Sequence, residues 1–255
     1  MIMSTKNLVI GPLQGHQHTH TIIFLHGKGS DCDEFAEEFF ESEASEPADG
    51  DRTLRDLFPT IRWVFPSAPL IYSERFGCTE SQWFDIWSVE NPDEKVELQI
   101  SGLKQSIGLI MDIVKQEEGL VPLEKIFLGG ISQGFATAYS IYYLHKQHFA
   151  GLIGLCSWAP SRALSLIDLN EPGISDIPNR DRPATPVFLA HSRDDNVVSV
   201  QEGRNLRDAL KHCPNTMVQW KEYADGGHWV NEPQGVDDIV VFLHKNMNGT
   251  REDFN

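Results

Sequence analysis

No apolar run in the 255 residues approaches the roughly 20 needed to span a bilayer, so no stable membrane insertion is expected. Met1–Ile10 holds one lysine and no long apolar stretch, and it does not read as a signal peptide. Ile2 stands where myristoylation requires glycine, and no cysteine lies near the C-terminus for prenylation. Basic residues are scarce. Lys and Arg number 21 against 37 Asp and Glu, a formal net charge of −16 and a sequence pI of about 4.9. Without a cluster of basic residues, nucleic acid is not an expected partner, nor is anionic lipid bound through a polybasic face. Cysteine is sparse as well. Cys32, Cys78, Cys156 and Cys213 are scattered without a C-x-x-C pair, which suggests neither a zinc site nor a disulfide scaffold. Reduced thiols in a cytoplasmic protein are the expectation.

Apolar residues, by contrast, make up 40% of the chain and aromatics 10%, ample for a sizeable core. Five short continuous runs stand out: Thr21–Leu25, Ile61–Phe65, Lys125–Leu128, Leu152–Cys156 and Pro186–Ala190. Such runs suit strands buried on both faces of a parallel sheet. Helical periods lie between them. Ile100, Leu103, Ile107, Ile110, Met111 and Val114 form one face, and Val236, Ile239, Val240 and Leu243 another. Phe135–His145 and Asn205–Cys213 are further helical stretches. The alternation predicts an α/β fold with helices on both faces of a mostly parallel sheet. One domain over 1–255 is expected, with surface insertions at about 41–56 and 168–185.

The strongest chemical signal is Gly130-Ile131-Ser132-Gln133-Gly134. It matches G-x-S-x-G between a predicted strand and a predicted helix, the context of a nucleophile elbow. The turn is tight, and a side chain at either glycine would collide with neighbouring backbone. A serine nucleophile needs a base and a residue to orient it, in the chain order Ser, acid, His. Asp194 and Asp195 follow the Pro186–Ala190 run, and either could be the acid. His228 lies in Tyr223-Ala224-Asp225-Gly226-Gly227-His228-Trp229, just before the last helix. An oxyanion needs backbone N–H donors. Gln133, after the nucleophile, would supply one, and Lys28, in the glycine-rich loop after the first run, the other. His16, His18 and His20 alternate and would share one face of a strand, but no carboxylate or cysteine accompanies them. An exposed polar lead-in is expected there rather than a metal site. Trp63, Trp83, Phe84 and Trp87 are expected in the core or in a pocket wall.

Together these residues resemble the phospholipase/carboxylesterase family of α/β-hydrolases, which includes the acyl-protein thioesterases. The matching blocks are Phe24-Leu25-His26-Gly27-Lys28-Gly29, Phe65-Pro66-Ser67-Ala68-Pro69, Trp83-Phe84-Asp85-Ile86, Leu128-Gly129-Gly130-Ile131-Ser132-Gln133-Gly134 and the loops carrying Asp195 and His228, from about residue 20 to 244. The resemblance implies the α/β-hydrolase fold and a serine esterase or thioesterase without cofactor or metal. It implies Asp195 as the acid, and Leu70–Gln82 as a loop over an acyl channel. Phe135 stands where the family commonly has a small residue, and Lys28 where it commonly has a small apolar one. The expected pocket residues are Phe135, Trp83, Phe84 and Trp229. The expected partner is a small-molecule acyl ester or thioester, or an acylated protein. Two rivals stand beside hydrolysis: a thioesterase that releases a hydroxyacyl chain as a lactone, and a non-catalytic acyl-binding module.

Overall fold

Apolar residues without gaps along a strand require cover on both sides, because alternate side chains face opposite ways. In the computed structural model, which describes residues 6–167 and 183–247, the predicted runs are the strands at the centre of the sheet. These are β2 (His20–Leu25), β3 (Ile61–Pro66), β6 (Ile126–Ile131), β7 (Gly151–Leu155) and β8 (Thr185–Ser192). They pair in parallel. The edges are β1 (Asn7–Ile10), antiparallel to β3, and β9 (Thr216–Tyr223), parallel to β8. The order is β1-β3-β2-β6-β7-β8-β9. A separate antiparallel hairpin joins β4 (Leu70–Ser73) and β5 (Cys78–Ser81).

Alternation along each central strand sorts the core into two layers. Ile23, Leu25, Leu128, Val187 and Leu189 face α3 (Glu97–Glu118), α4 (Gln133–His145) and α6 (Val200–His212). Ile22, Phe24, Phe127, Phe188 and Ala190 face α1 (Cys32–Glu41) and α7 (Gln234–Met247). Short helices α2 (Leu54–Leu57) and α5 (Ser161–Ser165) complete the α-helices among the described residues, and a 3-10 turn at Leu123–Lys125 leads into β6. None of these helices is long and apolar enough to cross a membrane.

The acidic stretch 41–56 is docked rather than loose. Ser42 Oγ donates to Glu232 at 2.8 Å, and Ser45 gives its amide and hydroxyl to Asp237 at 2.8 and 2.7 Å. Of the stretch 168–185, residues 168–182 lie outside the described residues. The histidine lead-in differs from expectation. The strand begins only at His20, so the three rings do not line one face, and His20 is buried against Phe127.

Candidate active site

Ser132 occupies the step between β6 and α4 with φ 55° and ψ −125°, a left-handed region that few non-glycine residues adopt. The step is held by its neighbours. The Ser132 amide donates to Leu155 O at 2.8 Å, and Ser157 Oγ donates to Ser132 O at 2.7 Å. Close approach makes the flanking glycines obligatory. A Cβ at Gly130 would lie 2.7 Å from Leu25 O, and one at Gly134 only 2.3 Å from the same oxygen.

His228 lies between β9 and α7, in a loop that returns over the C-terminal end of the sheet. Its Nδ1 is 2.8 Å from Asp195 Oδ2. The other carboxylate oxygen accepts the amides of Val197 and Val198, each at 2.9 Å. Burial alone would favour the neutral acid. Hydrogen bonds from His191 and His228 outweigh it and hold the Asp195 carboxyl well below the usual carboxylate range. Asp194 is turned away and accepts the Gly227 amide at 2.9 Å. Asp195, not Asp194, is therefore the aspartate on the imidazole.

The loop after β2 passes beside the serine, since a Cβ on Gly27 would sit 3.6 Å from Ser132 Cβ. Its position is set by His26, which is fully buried. Nδ1 of His26 is 2.7 Å from Gly27 O, while Nε2 accepts the Ala68 amide at 3.0 Å. Burial lowers the pKa of this ring, in keeping with a neutral tautomer that donates at Nδ1. Trp83 Nε1 donates to His26 O at 2.8 Å. The amide of Gln133 lies in the first turn of α4, where N–H groups have no partner within the helix. Lys28 and Ser132 open onto one cleft.

That cleft has a volume of about 480 Å³. Ser132, His228 and Trp229 line it together with Lys28, Phe76 and Trp87. Of the four expected pocket residues, only Trp229 is among these. Phe135 is wholly buried beneath the sheet, its ring pressed on Gly154 at a spot no Cβ could share. Trp83 and Phe84 are also wholly buried, and they act as struts. The Trp83 amide donates to Gln133 Oε1 at 2.8 Å, and Gln133 Nε2 donates to Phe84 O at 2.7 Å. The W-F-D block thus clamps the side chain of Gln133, the expected oxyanion donor. Trp87 lines the cleft and Trp63 lies in the core. The 70–82 segment is the β4–β5 hairpin, and it covers the cleft with Arg75, Phe76 and Glu80.

Two site residues were not foreseen. Cys156 Sγ donates to Trp229 O at 3.4 Å under the His228 loop, and burial raises its pKa so that it stays a thiol. Cys156, Asp195 and His228 bring possible metal-ligand atoms within 4.8 Å of one another. However, Asp195 and His228 are already spent on each other. The second residue is His191, on the far side of Asp195. No periodicity marks either one, because each acts by a contact that only folding makes.

Residues 9–247 match the family described as phospholipase/carboxylesterase. The chain is 29% identical over 233 residues to acyl-protein thioesterase 1 of Yarrowia lipolytica, covering 90% of this chain and 93% of that one. It is 29% identical over 236 residues to acyl-protein thioesterase 1 of Gibberella zeae, covering 91% and 92%. Among solved structures, acyl-protein thioesterase 2 of Zea mays aligns with a TM-score of 0.70 at 23% identity, over 96% of this chain and all of that one. The Bacillus cereus carboxylesterase aligns with 0.62 at 13% identity, over 96% of each. At those identities the structural likeness speaks for the fold alone, and that fold is the α/β-hydrolase fold.

Proposed function

Since the chain belongs to the phospholipase/carboxylesterase family, we propose that it is a serine hydrolase of acyl esters or thioesters in which Ser132 is the nucleophile, His228 the base and Asp195 the residue that orients it. The observation that carries the residue roles is the 2.8 Å contact between His228 Nδ1 and Asp195 Oδ2, with His228 and Ser132 on one cleft. With Nδ1–H given to Asp195, His228 Nε2 is the free base. It takes the hydroxyl proton as Ser132 Oγ bonds to the acyl carbon. The oxyanion is received by the amides of Lys28 and Gln133. The imidazolium then protonates the departing alcohol or thiol as its bond to the acyl carbon breaks. Water, deprotonated by His228, attacks the acyl carbon, and the imidazolium returns that proton to Ser132 Oγ as its bond to the acyl carbon breaks and the acid leaves. The substrate is an acylated small molecule or an acylated protein. The four unpaired cysteines fit a cytoplasmic setting. Peptide mass spectrometry after fluorophosphonate treatment tests the assignment: one adduct on Ser132 is expected, and an adduct elsewhere, or none on folded protein, overturns it.

The cleft wall also bears on acyl preference. Lys28 Nζ is ion-paired with Glu80 of the hairpin and lies 5.1 Å from the centre of the Phe76 ring. A long apolar chain laid against this wall would strip water from both charges, at a cost of several kcal/mol before their mutual attraction is counted. The double variant Lys28→Met, Glu80→Leu should therefore raise kcat/KM for long acyl esters relative to acetate about tenfold, or ~1.4 kcal/mol. A p-nitrophenyl ester series measures the ratio. A ratio equal to that of the wild type would show that acyl chains do not contact this pair.

A further inference from the structure

His191 sits at the end of β8, 1% exposed, with its ring 6.4 Å from that of Trp220 on β9. Its Nε2 is 2.9 Å from Val198 O and 3.1 Å from Asp195 Oδ2. A carbonyl oxygen only accepts, so Nε2 carries the hydrogen. Nδ1 has no hydrogen-bond partner among the described residues. It faces α6 so closely that a Cβ on Gly203 would lie 2.4 Å from it. Nε2–H is therefore given to Val198 O at 2.9 Å, with Asp195 Oδ2 as its second, longer neighbour at 3.1 Å.

We propose that His191 is a positioning residue for the reaction: a second imidazole, behind Asp195, that fixes how this carboxylate meets His228. This rests on the Ser132–His228–Asp195 reading above. Val197 and Val198 donate to Oδ1 and His228 to Oδ2, and the Nε2–H of His191, given first to Val198 O, is shared with Oδ2 at 3.1 Å. Sharing does two things. It fixes the plane of the carboxylate, and it draws charge from the oxygen that stabilises the His228 imidazolium. His191 thus bears on the carboxylate that faces His228 and holds it in place. The other ionisable groups around this set are Cys156 and Asp194 beneath the His228 loop, Glu222 opposite His191 on β9, and Arg204 next to Gly203 on α6. Lys28, Glu38, Arg75, Glu80 and Glu90 line the cleft.

The test is the pH profile of kcat/KM for p-nitrophenyl acetate with His191→Phe and His191→Gln, each checked for folding by thermal melting. Phenylalanine keeps a ring and removes the donor, whereas the glutamine amide nitrogen can reach the place of Nε2. His191→Phe should lose about tenfold or more in kcat. Its acid limb, which reports the base of the free enzyme, should move to higher pH by about 0.5 or more, because more charge then faces His228. His191→Gln should return both to near the wild-type values. If His191→Phe does not fold, His191→Asn, too short to reach Oδ2, should show the same loss and the same displaced limb. A purely structural role would lower the melting temperature and leave the limb where it is. The inference falls if the donor-less variant keeps the wild-type limb, or if His191→Gln is as impaired as His191→Phe. If Ser132→Ala keeps wild-type turnover, the triad reading itself fails. Loss of turnover in Ser132→Ala with an unmoved limb in His191→Phe sinks the His191 inference alone.

Discussion

Ser132→Ala should lower kcat by at least about 10³-fold and leave the fold intact, the size of effect seen when a triad nucleophile is removed. Alanine keeps the Cβ beside Gly27, and it loses only the oxygen. The backbone bonds that hold the turn, from the Ser132 amide to Leu155 O and from Ser157 Oγ to Ser132 O, do not involve the side chain. Melting temperature should therefore stay within a degree or two while turnover disappears. Residual rate above that of buffer should persist, since the proposed oxyanion donors, the Lys28 and Gln133 amides, are left in place. Steady-state kinetics on a p-nitrophenyl ester, beside thermal melts, decides the matter. Retention of more than a tenth of the wild-type kcat would remove Ser132 from the chemistry. The non-catalytic binding module would then be the reading to pursue, with ligand affinity in place of turnover as its measure.

The parts of this fold that could be read from residues are those where one physical demand dominates. Thr21–Leu25 and Leu152–Leu155 are apolar without interruption because both faces of the sheet are covered. The elbow was legible because glycine is required where Gly130 and Gly134 approach Leu25 O. The edges were not legible. β9 reads Thr-Met-Val-Gln-Trp-Lys-Glu-Tyr, half-exposed along most of its length, and neither continuous hydrophobicity nor clean alternation marks it. α1 carries a capping-box pattern, since Asp31, which caps it through the amides of Asp33 and Glu34, stands three residues before Glu34. Side-chain direction is the deeper limit. Phe135 follows the catalytic motif by a single residue beyond Gly134, yet its ring points under the sheet because Gly154 leaves room there. Trp83 and Phe84 belong to a recognisable block, but their backbone hydrogen bonds to Gln133, rather than their rings, serve the site. His191 is unmarked in the sequence for the same reason. Its partner, Asp195, is four positions away, and only the turn after β8 brings Nε2 onto the carboxylate.

Gly134→Ala should lower kcat by about 10²-fold, by displacement instead of deletion. A methyl group there meets Leu25 O at 2.3 Å and His26 O at 2.5 Å, both backbone atoms. Ordinary carbon–oxygen contact lies near 3.4 Å, so β2 and the loop after it must retreat from α4 by about 1 Å. A shift of that size at a reacting centre can cost ~10²-fold in rate. The loop is poorly able to retreat. His26 O accepts Trp83 Nε1, His26 Nε2 accepts Ala68 N, and β2 is hydrogen-bonded on both sides by β3 and β6. Strain should therefore appear in stability as well, about 1–3 kcal/mol by the usual cost of overpacking. At ~2–4 °C per kcal/mol for a chain of 255 residues, the melting temperature should fall by several degrees. Gly108→Ala is the matched control. It lies exposed within α3 with nothing within 4 Å of its would-be Cβ. It should gain about 0.5–1 kcal/mol from alanine's better helix propensity and leave kcat unchanged. Measured together, the two variants separate backbone collision from the general effect of replacing glycine in a helix. A Gly134→Ala protein with wild-type melting and turnover would mean that the oxyanion loop is not packed against the elbow as described, and Lys28 would lose its place as an oxyanion donor.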